Sequence, residues 1–186
     1  MRTITTPLSD RAIRDLSAGE SVLLSGVVYT GRDAAHKRMT ELLEQNRPLP
    51  FDPKGQAIYY TGPCPAPPGR PIGSAWPTTS RRMDAYAPRL IGEGLRVMIG
   101  KGLRSQPVVD AMRTHTGLYL SAIGGLGAST ALCVAYAEVV AFEDLGPEAV
   151  YRLVVRDLPL VVAIDCRGES IFEKARGKQW TMRGNR

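Results

Sequence analysis

Short apolar runs along the chain alternate with stretches of helical spacing. Residues 21–29 form a nearly continuous apolar run, which is typical of a buried strand. Directly afterwards, apolar side chains recur at helical spacing from Ala35 to Leu43, which predicts a helix that stops at Arg47-Pro48. By the same reasoning, further strands are predicted at 57–60, 95–99, 118–120, 139–142, 151–155 and 160–164, with a last short one at 170–172.

Helices fill the remaining stretches of the pattern. Three are predicted: one over 83–94 that is split at Pro88, one that starts at Ser105, and one of small residues that ends near 133–136. The proline-rich segment 62–71 is predicted to be irregular, because proline has no N–H group to donate. The alternation of strands and helices predicts an α/β domain over 1–174, followed by a basic tail over 175–186.

Composition and charge narrow the classes of function. Hydrophobic residues make up 44% and charged residues 23% of the 186 residues, as expected for one folded domain. No apolar run reaches the roughly 20 residues of a membrane helix, and the N-terminus lacks a signal peptide's apolar centre, so we expect a cytoplasmic protein without membrane contact. The net charge of +6 is spread along the chain and only 6% of residues are aromatic, which favours small anions over nucleic acid.

Cysteines and histidines argue against a metal bound by this chain. Cys64, Cys133 and Cys166 have no CxxC spacing, and the last two lie in apolar surroundings that are typical of the core. The two histidines, His36 and His115, lack the HExxH spacing of a zinc enzyme. We therefore predict that this chain holds no metal ion or cluster by itself.

Three polar clusters follow apolar runs, at 30–33, 77–84 and 100–102. Because ligands of α/β sheets gather at strand ends, we expect the three clusters to lie near one another. The cluster 77–84 combines hydroxyls, backbone N–H groups and arginines, which suits a carboxylate or phosphate. Taken singly, each cluster also fits an ordinary helix cap, surface ion pair or exposed turn.

The side chains of these clusters differ in the chemistry that they offer. The planar fork of Arg32 is suited to bind a carboxylate through two N–H groups. The glycines beside Lys101 allow the backbone to approach a ligand closely. Thr78 has a hydroxyl pKa too high for a base unless an ammonium and desolvation lower it. Asp33 is expected to cap the following helix, and His36 to lie on the face of that helix.

The three polar clusters and several neighbouring segments resemble the β-type part of the iron–sulfur-dependent hydro-lyases, which are the class I fumarases and L(+)-tartrate dehydratases. That part is either a separate β subunit or the C-terminal half of a fused enzyme. The resemblance runs from about residue 3 to 172 and is carried by residues 29–38, 62–66, 72–75, 77–80, 82–84, 98–102 and 142–149. The Thr-Gly-Arg-Asp-Ala-Ala-His form of the first segment is closer to fumarase.

The resemblance implies a swivelling β/β/α domain that closes a site on a partner α subunit, in an α2β2 heterotetramer. The partner is expected to hold a [4Fe-4S] cluster through three cysteines of its own. Arg32 and Arg82 would bind the dicarboxylate substrate. Thr78 would lie where the C3 proton is removed or delivered. Lys101 would lower the free energy of the Thr78 alkoxide or bind a carboxylate. Three neighbouring side chains are secondary candidates for the site: Asp33, His36 and Thr79. The implied reaction is the reversible hydration of fumarate to malate.

Two positions depart from the family pattern, which has glycine at both. Trp76 places a large ring beside Thr78, and Arg81 adds a cation beside Arg82. A tryptophan at a position of positive φ would strain the loop. Two alternatives therefore stay open: a dehydratase for tartrate or for methylfumarate (mesaconate), and a non-catalytic anion-binding module of the same fold.

Overall fold

The computed structural model describes residues 1–122 and 127–175, with the backbone alone over 127–129. The strands are β1 (Arg2–Thr6), β2 (Ser21–Thr30), β3 (Ala57–Tyr59), β4 (Val97–Gly100), β5 (Leu118–Ala122), β6 (Val134–Ala141) and β7 (Val150–Ile164). The helices are α1 (Asp10–Arg14), α2 (Asp33–Glu44), α3 (Ala87–Gly92), α4 (Gln106–His115) and α5 (Gly127–Leu132), with 3-10 helices at Ser80–Met83 and Glu143–Glu148. The predicted α/β class is thus confirmed.

The described strands form one mixed sheet in the order β1-β2-β3-β4-β5-β7-β6. The first five run parallel, whereas β7 pairs antiparallel with both β5 and β6. Strand β7 also pairs antiparallel with β2, which closes β2, β3, β4, β5 and β7 into a small barrel-like arrangement. As a consequence, the carboxyl ends of β2, β3 and β4 lie side by side at one end of the barrel.

The central strands are buried on both faces, which explains their continuous apolar runs. Tyr59 and Ile99 belong to the hydrophobic cluster that fills the barrel. Their neighbours Ile58 and Met98 belong to the cluster that packs under α2, α3 and α4. Because successive side chains of a strand point to opposite faces, each strand joins the two layers of the core.

Strand β7 corrects the prediction of two separate strands at 151–155 and 160–164. It is one strand of 15 residues, and β2 pairs with it across the intervening segment, where Leu24 faces Leu158. Asp157 adopts a positive φ of 49° within the strand, and its N–H donates to the Ser25 hydroxyl at 3.0 Å. The register of this pairing shifts between Leu24 and Gly26, so the segment between the two predicted strands is a bulge within one strand.

Other boundaries also differ from the predictions. The small-residue helix ends at Leu132, because β6 begins two residues later and uses 134–136 for pairing with β7. The short strand predicted at 170–172 is only an isolated bridge at Ser170, followed by a helical turn over 171–175. The basic tail predicted from residue 175 lies outside the described residues, apart from residue 175 itself.

The first two elements, β1 and α1, were not predicted. Strand β1 carries polar residues and only two of its side chains are buried, Ile4 and Thr6, so its apolar signal is weak. Helix α1 is short and begins where the Ser9 hydroxyl accepts the N–H of Ala12 at 3.3 Å. Within the described part of the chain, no helix has the length and apolar character that crossing a membrane requires.

At Gly26, β1 lies so close to β2 that a side chain on β2 does not fit. Gly26 has a φ of +105°, and a Cβ there would lie 2.8 Å from the carbonyl oxygen of Thr6. Gly26→Ala is therefore expected to lower the free energy of unfolding by about 2–3 kcal/mol, through backbone strain and displacement of β1. Urea unfolding followed by circular dichroism measures this loss.

Gly69→Ala is the matched control, because Gly69 also has a positive φ of 75° but no atom lies within 4 Å of its Cβ position. It is expected to cost about 1 kcal/mol from the backbone conformation alone. Equal losses for the two variants would show that the contact with β1 contributes nothing.

Candidate functional site

Arg32 lies in the turn that joins β2 to α2. The N–H of Gly31 donates to the carbonyl of Tyr59 at 3.1 Å, which keeps the turn beside the end of β3. The Arg32 guanidinium lies 3.3 Å from a carboxylate oxygen of Glu148, and both side chains are 28% exposed. The other oxygen of Glu148 accepts the N–H of Ala34 at 3.3 Å. Glu148 was not among the predicted site residues. It orients Arg32 and accepts a backbone N–H in the first turn of α2, which has no partner within the helix.

Asp33 binds Arg82 and does not cap α2. The Nε of Arg82 donates to Asp33 Oδ1 at 2.8 Å, and the residue at the N-cap position of α2 is Arg32. The predicted capping role of Asp33 is therefore wrong, because the carboxylate is taken by a guanidinium that the fold brings from another segment. This ion pair connects the 77–84 cluster to the turn after β2.

The segment that carries Thr78 is attached to the sheet by backbone contacts. The N–H of Thr78 donates to the carbonyl of Tyr60 at 2.7 Å, just beyond the end of β3. Thr79 forms an isolated parallel bridge with Lys101, and the N–H of Ser80 donates to the Lys101 carbonyl at 3.0 Å. Thr78 and Lys101 therefore lie on neighbouring backbone segments at the carboxyl ends of β3 and β4.

The three consecutive hydroxyls have different surroundings. Thr79 is at the N-cap of the 3-10 helix but makes no side-chain capping bond. The hydroxyl of Ser80 is buried and lies 2.9 Å from the hydroxyl of Tyr119. Thr78 is partly exposed at the end of the barrel. The hydroxyls are thus not helix caps, and Thr78 is the one that combines partial burial with access to a ligand.

Lys101 is an exposed cation between two glycines. Within residues 1–122 and 127–175, no carboxylate lies within ion-pair distance of its ammonium. Gly102 has a positive φ of 84°, and a Cβ at Gly100 would collide with the Ser80 hydroxyl. The first glycine is therefore required for packing against Ser80, and the second for the turn.

His36 lies on the buried face of α2, behind Arg32, and is fully enclosed. Its Nδ1 lies 2.9 Å from the Arg32 carbonyl oxygen, which can only accept, so Nδ1 carries the proton and donates. Desolvation lowers the pKa of His36 to about 4, so the imidazole is neutral near pH 7. The imidazole therefore holds the Arg32 turn through this hydrogen bond and is not exposed to a ligand.

Trp76 and Arg81 adopt ordinary backbone conformations. The non-glycine residues with positive φ in the described ranges are Asn46, Thr116, Phe142 and Asp157. The strain expected from a tryptophan in place of glycine is therefore absent. The Trp76 carbonyl accepts the Thr61 hydroxyl at 2.7 Å, while 52% of the residue is exposed beside the Thr78 segment.

These contacts bring the four principal candidates to one end of the barrel. Arg32 follows β2, Lys101 follows β4, Thr78 is bonded to the residue after β3, and Arg82 reaches the Arg32 turn through Asp33. The end therefore presents two guanidinium groups, an ammonium and an alcohol. Among the described residues, no group of three His, Cys, Asp or Glu side chains has an arrangement suited to a metal ion.

Comparison with known proteins identifies the family to which the chain belongs. Residues 3–175 match the family described as Fumarase C-terminus, and the chain belongs to that family. Its curated relatives include hydro-lyases of two kinds. The anaerobic class I fumarate hydratase of Escherichia coli (strain K12) is 40% identical over 158 residues, which are 84% of this chain and 29% of the relative.

Two further relatives differ in how much of their length is matched. The putative class I fumarate hydratase of Geobacillus stearothermophilus is 36% identical over 92% of this chain and 33% of its own length. The putative L(+)-tartrate dehydratase subunit beta of Methanocaldococcus jannaschii is 34% identical over 92% of this chain and 91% of its own length. The chain thus spans about a third of these fumarate hydratases but nearly all of the β subunit.

The buried His36 predicts a specific dependence of stability on pH. Its pKa is about 4 when folded against an ordinary 6.5, so the unfolded chain binds the extra proton between these values. The stabilisation is fully present above about pH 6.5 and is lost as the pH falls towards 4, by up to about 3 kcal/mol. Urea unfolding of the wild type and of His36→Gln at pH 7 and pH 4.5 measures it.

His36→Gln is expected to lose this part of the pH dependence, whereas His115→Gln, which alters the chain's other histidine, is expected to keep it. The comparison of the two variants separates His36 from the carboxylates that also titrate in this range. The same pH dependence in all three proteins would contradict the assignment of a buried neutral imidazole.

Proposed function

We propose that this chain is the β subunit of a class I fumarate hydratase-like enzyme, which hydrates fumarate reversibly to malate at a site shared with an iron–sulfur α subunit. The observation that carries this proposal is the meeting of Arg32, Thr78, Arg82 and Lys101 at one end of the barrel. Two guanidinium groups suit a dicarboxylate, and an alcohol beside an ammonium suits proton transfer. The chain would act as a swivelling β/β/α domain that closes over the substrate.

In the proposed complex, Arg32 and Arg82 bind the two carboxylates of the substrate. Each guanidinium has one nitrogen engaged by a carboxylate of this chain, Glu148 for Arg32 and Asp33 for Arg82. These partners hold each guanidinium in place and leave its other N–H groups for a ligand. Preorganised donors of this kind bind an anion with little loss of side-chain entropy.

Thr78 is the proposed acceptor of the C3 proton of malate. As the Thr78 alkoxide takes this proton, the C3–H electron pair forms the C2–C3 double bond and the C2–O bond breaks with its electron pair on oxygen. The departing hydroxide then takes the proton from Thr78 and leaves as water, which restores the alkoxide; hydration of fumarate is the reverse. Lys101 carries a positive charge on the neighbouring segment and would stabilise the Thr78 alkoxide. A [4Fe-4S] cluster, held by three cysteines of the α subunit, would supply the Lewis acid for the substrate hydroxyl and carboxylate.

The name of one relative supports a partner subunit. The matched region is 29% of the Escherichia coli fumarate hydratase. The Methanocaldococcus jannaschii relative is itself named a β subunit and is matched over 91% of its length. From that name we infer that an α subunit completes the site, in an α2β2 assembly.

L(+)-tartrate dehydration is the second candidate function. It is favoured by the match to the putative tartrate dehydratase β subunit, which covers 91% of that relative. It is also favoured by Trp76 and Arg81, which add an aromatic ring and a cation beside Thr78 and Arg82. These two side chains would alter the volume and charge around a substrate that has a second hydroxyl.

A substrate panel tests the proposal. The chain is produced alone and together with an α subunit that contains the part missing from the match, and turnover of fumarate, malate, L(+)-tartrate and mesaconate is followed. We expect interconversion of fumarate and malate by the complex and none by the isolated chain. Turnover of tartrate or mesaconate alone would establish the alternative substrate. A loaded complex without turnover of any of the four would favour a non-catalytic anion-binding module.

Thr78→Val in the active complex tests the role of the alcohol. The change keeps the shape of the side chain but removes the hydroxyl, so kcat is expected to fall at least about 100-fold. The KM for malate is expected to stay within about threefold, because both arginines remain.

Lys37→Ala is the control for the Thr78 variant. Lys37 is a basic residue on the exposed face of α2, where its ammonium lies 3.9 Å from Glu41. Its kcat is expected to stay within about twofold of the wild type, because a surface ion pair contributes little. A similar kcat for both variants would remove Thr78 from the proposed chemistry.

A further inference from the structure

Arg104 is a buried arginine three residues beyond Lys101. Its side chain is 0% exposed, and its Nε donates to Asp84 Oδ1 at 2.7 Å. The guanidinium carbon lies 5.2 Å from the ring centroid of Tyr60 and 5.1 Å from that of Tyr119. Burying such an ion pair has a large desolvation cost. Replacing a buried pair by apolar residues of similar volume often leaves the free energy of unfolding unchanged or raises it. Stability alone therefore does not explain why this pair is buried here.

The pair joins the two segments that carry the proposed catalytic residues. Asp84 directly follows the 3-10 helix that contains Arg82, and its second oxygen accepts the N–H of Ser105 at 2.5 Å. Arg104 ends the turn that begins with Lys101. A change in the geometry of the pair would therefore shift the Thr78–Arg82 segment relative to the Lys101 turn.

Neutral hydrogen bonds connect the same two segments. The Tyr119 hydroxyl donates to the Gly102 carbonyl at 2.9 Å and accepts the Ser80 hydroxyl at 2.9 Å. Burial raises the pKa of Tyr119 to about 12, so the phenol keeps its proton near pH 7. The Arg104 guanidinium lies over the ring of Tyr119. Gly102 and Arg104, which both belong to the Lys101 turn, therefore contact the same buried tyrosine.

We propose that the Arg104–Asp84 pair is a positioning device that fixes Lys101 relative to Thr78 and so sets the rate of proton transfer, not the affinity for substrate. Arg104 has no exposed side-chain surface, which prevents direct contact with a ligand. Proton transfer requires placement of the reacting groups to within about half an ångström, so small shifts of the Lys101 turn affect kcat strongly. This inference rests on the proposed hydro-lyase function.

Two variants of the pair, studied in the complex with the α subunit, test the inference. Arg104→Lys keeps the charge but loses the planar fork, and is expected to fold and to lower kcat about 3- to 10-fold with KM within about twofold. Arg104→Met combined with Asp84→Asn removes both charges, while the new amide oxygen still accepts the Ser105 N–H. This pair of substitutions is expected to lower kcat at least about 10-fold, with thermal stability retained.

A cycle with Lys101→Ala distinguishes positioning from a general structural role. If Arg104 acts through Lys101, Arg104→Lys will lower kcat much less in the Lys101→Ala background than in the wild type. Arg89→Met is the control, because Arg89 forms an exposed pair with Glu93 at 3.2 Å, away from the barrel end. It is expected to leave kcat unchanged.

Three results would overturn the inference. The first is a wild-type kcat in folded Arg104→Lys complex, and the second is an equal fold-loss in both Lys101 backgrounds. The third is an increase in KM without a change in kcat, which would point to substrate binding. Absence of turnover by the wild-type complex would remove the proposed function and this inference together, whereas the other three results leave the proposed function standing.

Discussion

Two backbone hydrogen bonds determine the geometry of the candidate site. Thr78 donates to the carbonyl of Tyr60, and Ser80 donates to the carbonyl of Lys101. Through them a non-repetitive segment continues the parallel sheet past the ends of β3 and β4, where Thr79 bridges Lys101. The closed barrel fixes the strands. The backbone at Thr78 and at Lys101 is therefore held in place by the sheet, although neither residue lies in a strand.

Charge at this end of the barrel is only partly balanced within the chain. Asp33 and Glu148 each engage one arginine, but Lys101 has no carboxylate partner among the described residues. The Nε of Arg32 and one oxygen of Asp33 are buried and have no hydrogen-bond partner in the described ranges. Buried polar atoms without partners are rare in native proteins. The exposed Lys101 is therefore the cation at this end that is open to an anionic ligand.

The sequence was sufficient to predict the placement of Arg32 and Lys101, because each follows an apolar run and a glycine. It was not sufficient for Glu148, which comes from a distant segment and meets Arg32 only after the chain has folded. Arg104 looks like a turn residue in the sequence, and only its burial reveals its contacts. Likewise, Asp157 lies between two predicted strands, and only the pairing with β2 shows that they are one strand with a bulge at that point.

The exposure of the site bears on its chemistry. Lys101 is in contact with water, which screens its charge and limits how far it can lower the pKa of a neighbouring alcohol. Exclusion of water would strengthen the same interaction several-fold, since the Coulomb energy scales inversely with the dielectric constant. Stabilising a Thr78 alkoxide therefore requires a second surface over this end of the barrel. The exposed Trp76 and Leu103, which flank the Thr78 and Lys101 segments, offer apolar area for such a surface.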